Sequence, residues 1–541
     1  MKRIYLSIVA LTFSGMLSAQ NAFWTHTNYR GAFPVTDNTS ATDWTSGWSN
    51  FNPENTVYGT PTTTVSTDIT TNTTWSGIIL LQNKVYVKNG ATLTIEPGTI
   101  IRGDKASQAS LIITRNSKIN AAGTVTSPIV FTSNESVGNR AEGDWGGLVI
   151  LGNAVNNQPG GIANIEGIAP SNDTEFGGTN DLDNSGVLKY IRIEFAGIAL
   201  QPNKEINGIT FGSVGKQTEV DYIQVSFSGD DSFEWFGGTV DCKHLIAYRG
   251  LDDDFDTDYG YTGRIQFGLI IRDKDISDAA GDSNAFESDN DANGSNALPK
   301  TAAIFSNFTI VGPKGNGSIA LPTGEKFEKS FRIRRNSAIS VFNSITVGWE
   351  KGLSIEGAST EANFTTGTSF FSNNLLVGYT SGSTIVSALP SFYSSFFGVE
   401  NNDSTKTVAQ VDWVNLFPAL GNTPDARLKS GSIAAGGASF NNAIFGGEFV
   451  STKIQDPFID FNVYPNPAKT EFTIQFELAS ASQTTIQIYD LRGTLILDEK
   501  HNNLQVGNHK IHVNTSTLSS GIYQAKIQTA GTTKSFRISI L

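Results

Sequence analysis

The stretch from Ser228 to Ala292 holds sixteen Asp and Glu against five Lys and Arg, a net of −11 in a chain whose whole formal charge is −13. Carboxylates gathered this way can ligate a hard cation, or act as acid, base or nucleophile on a sugar. They are also ordered. GDDSFEWFGG (Gly229 to Gly238) aligns with LDDDFDTDYG (Leu251 to Gly260) at a step of 22, placing Phe233 over Phe255 and Glu234 over Asp256. DSNAFESDND (Asp282 to Asp291) continues the series with Phe286 and Glu287. If the three Phe side chains point inward, strand alternation sends Glu234, Asp256 and Glu287 outward in one column. Like charges about 4.8 Å apart repel by about 1 kcal/mol in water and about 3.5 kcal/mol at an effective dielectric of 20. Something should neutralise them.

Three readings of the block stand side by side. Acidic turn residues can be simply solvated and screened. They can hold structural Ca²⁺, which takes oxygen ligands in irregular geometry, with Asp230, Asp231, Glu234, Asp252, Asp253, Asp254 and Asp256 as ligands. Or they can act on a polysaccharide, with Glu234, Asp254 and Asp256 as carboxylates and Arg249, Arg272 or Arg264 as the cationic group. Glycoside hydrolysis needs two carboxylates about 5–9.5 Å apart, a spacing that stacked strands supply anywhere, so spacing alone does not discriminate. Other chemistries are excluded more firmly. The concentrated negative charge repels phosphates and argues against nucleic acid. The five His residues are scattered without zinc spacing, and no P-loop or GxSxG elbow occurs. The single cysteine, Cys242, reads as a buried thiol, with only His244 near it as a partner for a nucleophile.

The elements that must position these residues are strands. The chain has 54 Gly but only 16% charged residues, and runs of Ser, Thr and Asn alternate with Val, Ile and Phe, which favours strands and tight turns. Strings recur at coil-like spacing. IRIEFAG (Ile191 to Gly197) aligns with IQVSFSG (Ile223 to Gly229), 32 residues on. NFTIVG (Asn307 to Gly312), NSITVG (Asn343 to Gly348) and NNLLVG (Asn373 to Gly378) follow one another at steps of 36 and 30. Constant strand motifs at variable steps signal stacked coils with loops of changing length. One coil cannot bury its own apolar face, so neighbours must stack in register, and Asn repeated at a bend can form a hydrogen-bonded ladder. Residues 20–75, rich in Asn, Thr, Trp24, Trp44, Trp48 and Phe51, read as an irregular N-terminal cap; residues 76–455 read as a parallel β-helix whose last coils, from 380 on, close it.

The strings VKNGATLTIEPGTIIRGD (Val87 to Asp104), SLIITRNSKINAAGTVTSPIVFTS (Ser110 to Ser133) and GDWGGLVILGNA (Gly143 to Ala154) resemble the opening coils of pectin-lyase-like, right-handed parallel β-helix proteins of bacterial surfaces. That resemblance implies a fold and no particular activity, and the WxDH and RxPxxR signatures of pectate lyases are absent. Residues 461–541 form a separate unit whose alternation and turn glycines read as a small antiparallel β-sandwich. Tyr464, Pro465, Asn466 and Pro467, then YDLRG ending at Gly493, then Gly521 and Tyr523 in SGIY, resemble the type A sorting domain of the type IX secretion system. The resemblance implies the type IX machinery as a partner, and export across the outer membrane of a Bacteroidetes-type bacterium followed by surface attachment or release.

The opening residues agree with export. Lys2 and Arg3 precede an apolar run from Ile4 to Leu17 and the small pair Ser18 and Ala19, the pattern of a signal peptide over residues 1–19. No later stretch is apolar enough to span a bilayer, so no transmembrane segment is expected once the signal is removed. The fold expected is all-β: a right-handed parallel β-helix followed by a small antiparallel sandwich. The function expected is a secreted or cell-surface protein with a noncatalytic role in adhesion or contact with extracellular polysaccharide or surface glycan, stabilised by Ca²⁺. The alternative is a Ca²⁺-dependent polysaccharide lyase or glycoside hydrolase.

Overall fold

A computed structural model describes residues 23–445 and 458–541, apart from 202–203, 279–282, 325, 380–383, 388–399, 419–420, 479–481, 491–494, 506 and 530–531. The expected signal peptide and Gly493 lie outside the described residues. The described chain gathers into two units, Phe23–Ser439 and Phe440–Leu541. None of its helices is long and apolar enough to cross a membrane.

The first unit is a right-handed parallel β-helix built from one sheet of sixteen strands and one of ten. In the early coils the larger sheet is two ribbons, Thr92–Ile95 with Lys118–Ala122 and Ile100–Gly103 with Ile129–Ser133. Both ribbons meet the single long strand Gly186–Glu194. The registers follow the repeats. Ile191 pairs with Ile223 and Ile193 with Val225, Val311 with Val347 and Val347 with Val377. Phe233 pairs with Phe255 and Phe255 with Phe286. The inward Phe stack has ring centroids 5.0 Å apart for Phe233–Phe255, 5.3 Å for Phe255–Phe286 and 4.8 Å for Phe286–Phe331. Cys242 is buried in the same core.

A bend column runs down the larger sheet at Tyr190, Tyr222, His244, Phe267, Asn307, Asn343, Asn373 and Asn401, all left-handed with φ between 50° and 66°. That conformation is costly for bulky side chains. Stacking offsets it in the upper coils, at 4.4 Å for Tyr190–Tyr222, 4.2 Å for Tyr222–His244 and 5.1 Å for His244–Phe267. His244 is thereby a ring in a stack, with Nδ1 2.7 Å from Asp221. Lower down, Asn tolerates the conformation and hydrogen-bonds along the column, as in Asn401 to Asn373 at 2.9 Å. The neighbouring Asn374 and Asn402 accept the backbone N–H of Ser344 and Asn374 at 2.8 and 2.9 Å.

The segment expected to cap the end does something else. Thr63–Val65 and Thr73–Trp75 already belong to the first coil, and residues 23–58 run along the flank of the larger sheet. Asn50 N–H donates to Gln224 at 2.8 Å, Thr25 N–H to Gln266 at 2.8 Å and Gly31 N–H to the Asn343 carbonyl at 2.7 Å. The strands Trp413–Asn415 and Asp425–Leu428 lie on the same flank, with Leu428 bridging to Val35. The physical reason is a second apolar face. Phe195, Phe227, Ile246, Leu269, Val311, Val347 and Val377 point out of the helix and are covered by Phe33, Trp48, Phe51, Trp413 and Leu416.

At the end of this strap Tyr58 donates to Glu194 at 2.7 Å, and Glu194 is 1% exposed. Removing the hydroxyl leaves a buried carboxylate short of a donor, so Tyr58→Phe is expected to cost about 1–3 kcal/mol. A lowered denaturation midpoint and faster proteolysis near residue 58 would report it.

The second unit pairs a three-stranded antiparallel sheet (Phe458–Tyr464, Glu471–Leu478, Gly507–Asn514) with a four-stranded one (Ser482–Tyr489, Leu495–Leu504, Gly521–Thr529, Thr532–Ile540). Phe472, Ile474, Ile486, Ile488, Ile527 and Ile538 fill the space between them.

Candidate functional site

The ten-stranded sheet carries the acidic column on its outer face. Its register places Glu234 over Asp256 and Asp256 over Glu287, and then sets Glu287 over Arg332. The column is not an open, solvated edge. Glu234 is 5% exposed and Asp231 8%. Over the same sheet, the segment from 163 to 176 packs Ile165 and Phe176 against Val149, Leu151 and Phe236.

Two carboxylate groups form around a shared Asp231. Asp230, Asp231 and Asp252 bring one oxygen each within 4.8 Å of one another, and so do Asp231, Glu234 and Asp256. Asp231 has a structural duty as well. Its Oδ1 accepts the Asp253 N–H at 2.9 Å, Asp253 Oδ1 accepts the Asn284 N–H at 2.5 Å, and Asn284 Oδ1 accepts the Lys329 N–H at 3.2 Å. This ladder ties four coils together at one bend.

Burial pushes the carboxyls of Asp231, Glu234 and Asp256 well above the usual range, and the facing charges push them further. For Glu234 those charges are Glu166, Asp256, Asp230 and Asp258. Asp258, on the next outward position, is raised to about 8, by burial first and then by Asp289 and Asp291. Asn207, 1% exposed, donates from Nδ2 to Glu234, while its Oδ1 has no hydrogen-bond partner. Asp256 Oδ1 is buried and likewise without one. A cluster of desolvated carboxylates with orphaned acceptors needs protons or a cation. The donors are all oxygen, which suits a hard divalent cation such as Ca²⁺.

The structure divides the expected ligands. Asp230, Asp231, Glu234, Asp252 and Asp256 come together. Asp253 faces Asn284 through the ladder. Asp254 turns into the interior, where its Oδ2 accepts Arg272 Nε at 2.8 Å and both side chains are fully buried. Burial raises the Asp254 carboxyl to about 7 even though Arg272 pulls it down. Asp254 precedes the strand Phe255–Asp258, so strand alternation does not govern it.

The arginines proposed as catalytic partners are elsewhere. Arg272 is spent on Asp254 and on the carbonyls of Gly250 and Asn284. Arg249 lies on the flank against Phe227, paired with Glu54 at 2.7 Å and with Asp273. Arg264 is held by Asp241. The arginines that do meet the column are Arg332, Arg334 and Arg335. Arg332 reaches Glu287 and Glu356 at 3.2 Å each, Arg334 reaches Asp289 at 2.8 Å, and Arg335 reaches Asp289 at 2.6 Å. The string FRIRRN (Phe331 to Asn336) encodes them: an inward Phe331 and Ile333 leave Arg332 outward, and Arg334 and Arg335 follow the end of the strand. Beside them lies a polar hollow of about 420 Å³ that reaches Asn293, Ser359 and Thr360.

In the second unit, Tyr464 donates to Gln475 at 2.8 Å, and Asn466 grips the last strand through the Arg537 carbonyl at 2.8 Å and the Ser539 N–H at 3.0 Å. Pro465 and Pro467 are exposed. Gly521 pairs with Ile540, and Tyr523 donates to the Ser519 carbonyl at 2.9 Å.

Comparison with known proteins agrees with this architecture. Residues 64–415 match the pectate-lyase-like β-helix domain, and residues 462–540 match the secretion system C-terminal sorting domain. No curated protein matches the chain. Two solved structures are similar at low identity. The Dettilon tailspike protein is 10% identical, over 82% of this chain and 87% of its own, with a TM-score of 0.23. The enzymatically active domain of bacteriophage CBA120 tailspike protein 2 is 9% identical, over 85% and 72%, with a TM-score of 0.24. The chain belongs to the pectate-lyase-like β-helix family and ends in a type IX secretion sorting domain, which makes it a protein secreted to the cell surface or the extracellular space.

Proposed function

We propose that the outer face of the ten-stranded sheet, from the Asp231–Glu234–Asp256 cluster to Arg332, Arg334 and Arg335, is a noncatalytic contact surface for extracellular polysaccharide or surface glycan, with Ca²⁺ held in the carboxylate cluster. In this reading export proceeds through the type IX machinery of a Bacteroidetes-type bacterium, after removal of an N-terminal signal peptide. One observation carries the proposal: a single register column runs from desolvated carboxylates to Arg332 on an outward face, with Arg334 and Arg335 paired to Asp289 beside it. Carboxylates and guanidinium forks are the planar polar groups that hydrogen-bond sugar hydroxyls and acidic substituents.

Glycan arrays and whole-cell binding with the mature full-length chain test it. Saturable, calcium-dependent binding is expected. The double variant Arg334→Gln, Arg335→Gln is expected to weaken it at least tenfold, or about 1.4 kcal/mol or more. Absence of binding together with measurable depolymerisation would overturn the noncatalytic reading.

A lyase or hydrolase remains the second reading, favoured by one observation: Asp258, raised to about 8, stands two positions along the strand from Asp256 and faces the Arg335–Asp289 pair. A carboxyl still protonated near neutrality is what a general acid requires. Asp258→Asn and Glu234→Gln would then abolish turnover on the polysaccharide cleaved. Inertness toward a broad polysaccharide panel would end that reading.

A further inference from the structure

A separate cavity of about 370 Å³ opens on the flank of the β-helix unit, within the range of about 300–1,000 Å³ typical of small-ligand sites. Its floor is a register column of the larger sheet, Tyr248 over Ile271 over Val311. Its outer wall includes Ile319 and Phe417, which remain 41% and 38% exposed. Both close over Gly315, whose left-handed φ of 55° and missing Cβ make room; a Cβ there would meet Ile319 Cδ1 at 2.9 Å. Large apolar side chains left open around a concave apolar floor keep apolar surface in water, and an occupant that buries it gains the hydrophobic free energy.

The charges at this site are matched internally. Arg249 faces Glu54 and Asp273, Arg272 faces Asp254, and Lys274 faces Asp275. An ionic ligand would find no uncompensated partner among these groups.

We infer that this cavity is a binding site for a compact, uncharged apolar molecule, aromatic or short-chain aliphatic. It is distinct from the carboxylate–arginine face and independent of the glycan reading.

The neutral fluorescent probe N-phenyl-1-naphthylamine, titrated into the mature full-length chain, tests the inference. Saturable, blue-shifted emission at one site per chain is expected. Phe417→Asp and Ile319→Asp change only partly exposed side chains and are expected to weaken binding at least tenfold with an unchanged melting temperature. Naphthalene is expected to displace the probe at lower concentration than the anionic 1-naphthalenesulfonate does. No saturable emission, or unchanged affinity in both variants, would overturn the site. Equal displacement by the two competitors would overturn the assignment of an uncharged occupant.

Discussion

Asp254→Ala is expected to lower the stability of the β-helix unit by about 3–5 kcal/mol, the cost of leaving a buried guanidinium without its counter-charge. Arg272 is fully buried with its Nε on Asp254, and the remaining donors go to backbone carbonyls of Gly250, Leu251 and Asn284. Those carbonyls satisfy hydrogen bonds and supply no net charge. Replacing both partners, as in Asp254→Leu with Arg272→Met, is expected to restore most of the loss, because two desolvated charges disappear together. Denaturant midpoints at constant slope measure both effects. A single variant as stable as the wild type would contradict the burial of this pair. The same result decides a point of function: harm from Asp254→Ala reports folding and is no sign of catalysis.

The second large effect is a pH dependence that a divalent cation reverses. The folded-state values of Asp231, Glu234 and Asp256 are raised, and Asp258 titrates at about 8 against an ordinary value of 3.8. A raised carboxyl means that the folded chain holds protons the unfolded chain has already lost. Stability from that source is therefore full below about pH 4 and falls as the pH climbs toward 8. In chelator, the protein is expected to melt at a lower temperature at pH 8 than at pH 5, with the upper part of the decline set by Asp258. Ca²⁺ replaces the protons with positive charge, so its stabilisation should be greatest at pH 8. At 100 times its dissociation constant it adds about 2.7 kcal/mol. Glu234→Gln removes one charge and one ligand together, and should flatten the chelator profile while reducing the calcium response. A melting temperature indifferent to calcium at every pH would remove the cation.

Why some of this was legible in the sequence, and some not, follows from what sets each side chain's direction. The column Glu234–Asp256–Glu287 was readable because Phe233, Phe255 and Phe286 fix both the register and the inward face, and a strand leaves its alternate residues no choice. Asp254 escaped that logic because it sits at a bend, where Phe255 and its predecessor are both buried. In FRIRRN only Arg332 is set outward by strand alternation, between inward Phe331 and Ile333; Arg334 and Arg335 follow the end of the strand, and all three lie outside the acidic block in sequence. The flank strap was illegible for a different reason. Its side chains match a surface made by seven coils distant in sequence, and its own irregular segments carry no period. The signal for it lay in the coils, where Val311, Val347 and Val377 accompany inward-facing neighbours and so make strands apolar on both faces.

Calorimetric titration of Ca²⁺ into chelator-stripped, mature chain at pH 8, repeated in buffers of different ionisation enthalpy, bears most directly on the carboxylate face. Saturable binding with protons released as the metal enters is the expected result, with both heat and proton release diminished in Glu234→Gln. Absence of saturable binding, or binding with no proton release and no dependence on Glu234, would contradict it.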